Sequence, residues 1–89
     1  NTFVVEVKGT ISKDCIKDFQ TISTFIQRCQ YKFGVFILYN YSLDECRNAL
    51  IPILRECLPD IEETEQSIYI VCEKSHQDAP EVKCLYDLL

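Results

Sequence analysis

Apolar residues recur along this chain with two periods that take turns. Phe3-Val4-Val5-Glu6-Val7-Lys8 is β-branched, partly alternating and closed by Gly9, which predicts a strand. Glu6 and Lys8 fall on one side of it and mark a face or an edge that meets water. From about Asp14 to Cys29 the period lengthens. Ile16, Phe19, Ile22, Ile26 and Cys29 are spaced by 3, 3, 4 and 3 residues, which sets them on one stripe of a helix. Ser12 or Asp14 can cap its start, and Lys17, Asp18, Gln20, Ser23, Thr24, Gln27 and Arg28 fill its wet side.

Phe33-Gly34-Val35-Phe36-Ile37-Leu38-Tyr39 is apolar throughout. A strand that does not alternate is usually buried on both faces, so this one is expected at the centre of the sheet. Ser42-Leu43-Asp44-Glu45 has the form of a capping box, in which the serine hydroxyl and the glutamate carboxylate each satisfy an amide of the other residue. Leu43, Cys46, Leu50, Ile53 or Leu54, and Cys57 continue it as a helical stripe. Pro52 should kink or break that helix at the carbonyl of Asn48, and Leu58-Pro59 should end it. Residues 60 to 66 read as an acidic loop, Ile68-Tyr69-Ile70-Val71-Cys72 as a third strand, and 73 to 78 as a polar loop. From Pro80, Val82, Leu85, Leu88 and Leu89 suggest a last helix with proline in its first turn.

The order β-α-β-α-β-α predicts a small α/β domain with a three-stranded, mostly parallel sheet and strand 33–39 in the middle. Right-handed crossovers then place the first two helices on one face. The other face of the central strand needs a cover from the last helix, a missing part of the chain or a second protomer. There is no initiating methionine, and strand-forming residues begin at Phe3. The expectation is a single domain, 1–89, cut from a longer protein.

Composition changes this picture little. Hydrophobic residues make up 47% and charged residues 26%, as in an ordinary folded domain. The net charge is −5, and the nine Lys and Arg are scattered. A nucleic-acid binder usually carries a basic stripe, so nucleic acid is a disfavoured partner. No apolar run approaches the roughly 20 residues of a membrane span. The first residues also lack the basic start and apolar core of a secretory leader.

Six cysteines stand out: Cys15, Cys29, Cys46, Cys57, Cys72 and Cys84. An even number in a short chain points to disulfides, but these lie within periodic elements rather than loops. The pairs 15/29 and 46/57 are near-integral numbers of helical turns apart. They are expected to be reduced, core-facing thiols, and the chain to be intracellular, cytoplasmic or nuclear. Asn40-Tyr41-Ser42 matches a glycosylation sequon, although Ser42 already has a role as a cap.

Candidate chemistry is sparse. In an open parallel sheet, ligands sit beyond the carboxyl ends of the strands. A polar rim there would comprise Thr10, Ser12, Lys13 and Asp14, then Asn40, Tyr41 and Ser42, then Lys74, Ser75, His76 and Gln77. Polar loops and caps use the same residues. Two glycines are too few for a phosphate loop. No Cys-x-x-Cys pair or four-ligand spacing suggests zinc, and Cys72 with His76 is the one thiol–imidazole pairing within reach. Glu62, Glu63 and Glu65 read as a solvated acidic run. Leu85-Tyr86-Asp87-Leu88-Leu89 has the Leu-x-x-Leu-Leu form of a groove-binding helix, but core-facing helices share that spacing.

No catalytic, metal or cofactor residue is assigned, and no cofactor is expected. Anticodon-binding and flavodoxin-like domains share the strand–helix order, yet no motif ties this chain to either. The expected function is a non-catalytic protein-interaction or dimerisation domain of a larger intracellular protein. Its interaction surface would draw on Val35, Phe36, Ile37, Leu38, Tyr39, Leu85, Leu88 and Leu89. The alternatives are a small-ligand or enzyme-derived domain using the rim of Thr10, Ser12, Lys13, Asn40, Ser42, Lys74 and His76, or an acidic anticodon-binding-like RNA-binding domain.

Overall fold

A computed structural model describes residues 3–89. Strand β1 (Phe3–Lys8) leads to helix α1 (Asp14–Arg28), strand β2 (Phe33–Tyr39) and helix α2 (Leu43–Leu54). A short helix α3 (Leu58–Ile61) and a 3-10 turn at Glu65–Ser67 precede strand β3 (Ile68–Glu73). Strand β4 (Glu81–Cys84) and helix α4 (Leu85–Leu88) complete the chain. The sheet order is β1-β2-β3-β4. β1, β2 and β3 run parallel, and β4 returns antiparallel to β3. This is an α/β domain with β2 between β1 and β3.

The sheet has four strands rather than three. Residues 80–89 were expected to form one helix, because Val82, Leu85, Leu88 and Leu89 have helical spacing. Instead Glu81–Cys84 pairs with Cys72–Tyr69, and only Leu85–Leu88 is helical. The short polar stretch after β3 lets the chain reverse, as an antiparallel neighbour requires. Pro80 suits a strand entry as well as a helix start, since its missing amide costs nothing ahead of the first ladder bond.

One core holds the layers together. Phe36 and Leu38 of β2 and Ile68, Ile70 and Cys72 of β3 point to the helices. There they meet Cys15, Phe19 and Ile22 of α1, Cys46, Leu50 and Leu54 of α2, Ile61 of α3, and Leu85 and Leu88 of α4. Phe19 and Phe36 pack with ring centroids 4.5 Å apart. Full burial of a side chain of this size contributes about 1.5–3 kcal/mol. Gly34, in the same row, admits Ile22: a Cβ at Gly34 would collide with the Ile22 side chain.

The buried side of α1 is turned from the expected stripe. Cys15, Phe19, Ile22 and Ser23 are buried, while Ile16 and Ile26 are half-buried. Cys29 follows the last helical residue and is exposed. Ser23, read as a wet position, is buried because it has polar partners. Its hydroxyl lies 2.8 Å from Thr64 Oγ1 and 3.4 Å from the Asp60 carbonyl, tying α1 to α3 and to the turn that follows it. In α2 the helix runs two residues past Pro52 and stops at Leu54. Leu58-Pro59 then starts α3 rather than ending a helix, with Pro59 in its first turn.

Candidate functional site

Because side chains alternate along a strand, the residues between the core positions project to the opposite face of the sheet. The strand register arranges them in rows. Phe3 stands beside Phe33, Val5 beside Val35 and Tyr69, and Val7 beside Ile37, Val71 and Val82. Tyr39 and Glu73 form the last row. The Phe3 and Phe33 rings are stacked 5.3 Å apart, and Phe33 meets Tyr69 edge-on at 6.1 Å. All four helices bury their apolar residues in the core on the other side. Among the described residues this leaves eleven apolar side chains, half-buried Cys84 beside Tyr69 included, on one open surface, with Glu73 as the charged residue at its corner.

Exposure on this face is high. Val82 is 59% exposed, Val7 55%, Phe3 49%, Tyr39 48%, Val5 41% and Tyr69 38%. A water-facing sheet surface normally alternates apolar-in and polar-out. In β1 that rule is inverted. Its charged residues, Glu6 and Lys8, share the helix side with Phe36 and Leu38 of the neighbouring strand, where Val4 alone of its apolar residues packs against the core, and Phe3, Val5 and Val7 face outward. Lys8 is accommodated at the sheet edge by Asp18 of α1, with Nζ 3.3 Å from Oδ2. That contact with the Asp18 carboxylate raises the Lys8 pKa above its ordinary value.

The interaction residues expected from the sequence divide between the two sides. Val35, Ile37 and Tyr39 lie on the open face. Phe36, Leu38, Leu85 and Leu88 are enclosed in the core, and Leu89 is 40% exposed at the chain end. α4 therefore closes the helix side and gives the open face no cover. Phe3, Val5, Val7, Tyr69, Val71 and Val82 complete the open face. The outward set Phe3, Val5 and Val7 alternates with Glu6 and Lys8 in the sequence, which was the available sign that one side of β1 is wholly apolar.

At the carboxyl ends of the strands the polar rim is largely satisfied by the chain itself. Ser42 Oγ accepts from Glu45 N at 3.2 Å, and Glu45 Oε1 accepts from Ser42 N at 2.9 Å. Glu81 of β4 accepts from Leu43 N at 3.0 Å. Lys74 donates to both Glu45 oxygens, at 2.7 and 2.9 Å. The Lys74 hydrogen bonds, followed by the Ser42 amide, lower the Glu45 pKa to about 2. Two carboxylates thus occupy the amino terminus of α2, where an anion would otherwise be favoured. Asn40 adopts a left-handed conformation with φ 73°, which asparagine tolerates, and its amide donates to Glu73 O. Ser12 accepts from Asp14 N. Thr10, Lys13 and His76 are exposed. A shallow groove of about 310 Å³ lies elsewhere, along Lys17, Gln20, Thr21, Thr24 and Phe25 of α1.

All six cysteines are free. Cys15, Cys46, Cys57 and Cys72 are buried, Cys84 is half-buried and Cys29 is exposed. The neighbouring Cys72 thiol, and then burial, push the Cys46 pKa far up. Burial raises Cys15 and Cys57 as well. Cys72 points into this core, whereas His76 lies in the exposed loop after β3, so the two form no thiol–imidazole pair. Among the described residues no group of three or more His, Cys, Asp and Glu side chains is placed to hold a metal ion. Nor is any helix long and apolar enough to cross a membrane.

Compared with models of known protein families, with curated proteins and with solved structures, the chain matches none.

Proposed function

We infer that this chain is a non-catalytic protein-interaction domain of a larger intracellular protein, and that it works through the open face of its sheet. The observation that carries this reading is the inversion in β1. Phe3, Val5 and Val7 all face outward while Glu6 and Lys8 take the helix side. A strand serving only the fold would gain from the opposite arrangement, because each outward valine forfeits the burial energy it would gain in a core. Contiguous apolar surface of this extent marks a contact site on proteins of this size. Six free thiols support a reducing compartment.

The small-ligand reading has weaker support, since Ser42, Glu45, Lys74 and Glu81 already bond to one another or to the α2 amino terminus. RNA binding is opposed by the net charge of −5.

The test is site-specific photocrosslinking in cells. A photoreactive residue at Val82, on the open face, is compared with one at Arg47, on the exposed side of α2. A discrete protein adduct from position 82 and none from position 47 is the expected result. Equal or absent crosslinking at both positions would overturn the reading.

A further inference from the structure

We propose that the occupant of the open face is a second copy of this chain, packed sheet against sheet about a two-fold axis. The proposal rests on the interaction reading above and names the partner.

Area is the first support. Aromatic side chains present about 150–250 Å² each, so the exposures on this face leave roughly 600 Å² of apolar surface per copy. A face-to-face pair would bury about 1,200 Å² in total, which reaches the lower end of stable specific interfaces. A two-fold contact uses the same patch twice. An apolar face meets this requirement without needing complementary charges, and Glu73 at the corner is its only carboxylate among the described residues.

Charge also limits how two copies can meet. Each carries −5, and Asp14, Asp18, Asp44, Glu45 and Asp60 all lie on elements packed against the helix side. Stacked sheets lie about 10 Å apart, and each helical layer adds roughly another 10 Å outward. Packing through the open faces therefore holds the acidic layers well beyond the screening length of about 8 Å. Contact through the helical sides would press them together. A basic partner, conversely, would find almost no charge to pair with on this face.

The sheet edges are guarded, and the face is not. On β1, Glu6 and Lys8 turn their charges toward the helix side. β4 is only four residues long, follows Pro80 and carries Lys83. Inward charges, short length and proline are the features that discourage strand addition at an edge. No such feature interrupts Val5, Val35 and Tyr69, or the row from Val7 to Val82.

Sedimentation of the 89-residue chain between about 1 μM and 1 mM tests the proposal. The expected result is a species of twice the 10.4 kDa chain mass, reduced to the chain mass by Val35→Glu with an unchanged circular dichroism spectrum. Should Val35→Glu unfold, Val7→Glu on the edge strand serves in its place. In a mixed sample of labelled and unlabelled chains, contacts between copies should involve Val35 and Ile37 methyl groups. A wild-type chain that stays at 10.4 kDa throughout, or a dimer indifferent to both substitutions, overturns the proposal. If the chain is monomeric while position 82 still crosslinks to another protein, the second copy is excluded and the interaction reading stands. If crosslinking also fails, both fall.

Discussion

Phe3 and Phe33 stack across β1 and β2 with ring centroids 5.3 Å apart and planes within 2° of parallel, on the side of the sheet that no helix covers. Phe33 in turn meets Tyr69 edge-on. Aromatic contacts of this kind contribute about 0.5–1.5 kcal/mol beyond their buried area. They also hold three large rings in fixed positions at one end of the open face. If a second copy docks there as proposed, a surface held by these contacts loses less entropy on binding.

The amino terminus of α2 yields a prediction about pH. Ser42→Ala removes the hydroxyl acceptor for Glu45 N and should cost about 0.5–2 kcal/mol in urea denaturation. Glu45 itself titrates near 2 in the folded chain, below the value of about 4.3 for a free glutamate. Its folded pKa is depressed, so its stabilising effect is fully present above the free value and is lost as pH falls from about 4.3 through about 2. Carboxyl-detected NMR titration should show the Glu45 resonance moving near pH 2 in the wild type. In Lys74→Ala it should move at a higher pH. An unaltered titration in that variant would show that the Lys74 contact does not form in solution.

Gly34 is required by packing rather than by backbone conformation. A methyl group there would run into Ile22, which is fully buried. Gly34→Ala should therefore destabilise by about 1–3 kcal/mol, as overpacking does. Adding Ile22→Ala, which removes the Cγ2 methyl that the new Cβ would meet, should recover part of the loss, measured as a double-mutant cycle of urea midpoints. Strictly additive losses would mean that the two residues are not in contact.

Thiol chemistry should separate the cysteines by position. Under native conditions Cys29 is exposed and should react with an alkylating reagent first, followed by the half-buried Cys84, whose Sγ lies 3.4 Å from the Glu65 carbonyl. Cys15, Cys46, Cys57 and Cys72 should react only as the domain opens. Mass spectrometry of timed samples reads this order, and denaturation without reductant should release all six thiols. Fewer than six would reveal a disulfide that the fold does not contain.

Several elements were legible in the sequence because local chemistry alone specified them. The Ser42–Glu45 box fixes the start of α2 whatever surrounds it, and the β-branched runs at Phe3 and Ile68 mark β1 and β3. β4 was hidden because four residues are too few to establish a period, and Val82 happened to fall in helical register with Leu85 and Leu88. Ser23 looked like a wet position because its partner, Thr64, is 41 residues away. β2 was ambiguous in a more informative way. An unbroken apolar run predicts burial on both faces, but Phe36 and Leu38 are buried by the helices and Val35 and Ile37 are not covered to the same degree. The sequence pattern asks for a cover that the described residues do not provide. If, as proposed above, a second copy supplies that cover, nothing local identifies it, because its chemistry belongs to the other chain.

Dependence of stability on protein concentration tests that conclusion most directly. If a second copy covers the open face, unfolding also separates two chains, and the urea midpoint must rise with concentration. Each tenfold increase adds about 1.4 kcal/mol of dimer stability. The wild-type midpoint should climb across a hundredfold range of concentration, while that of Val35→Glu stays flat. Phe36→Glu, whose ring lies against Phe19 in the core, should fail to fold at any concentration. A wild-type midpoint that does not move over that range would contradict the account.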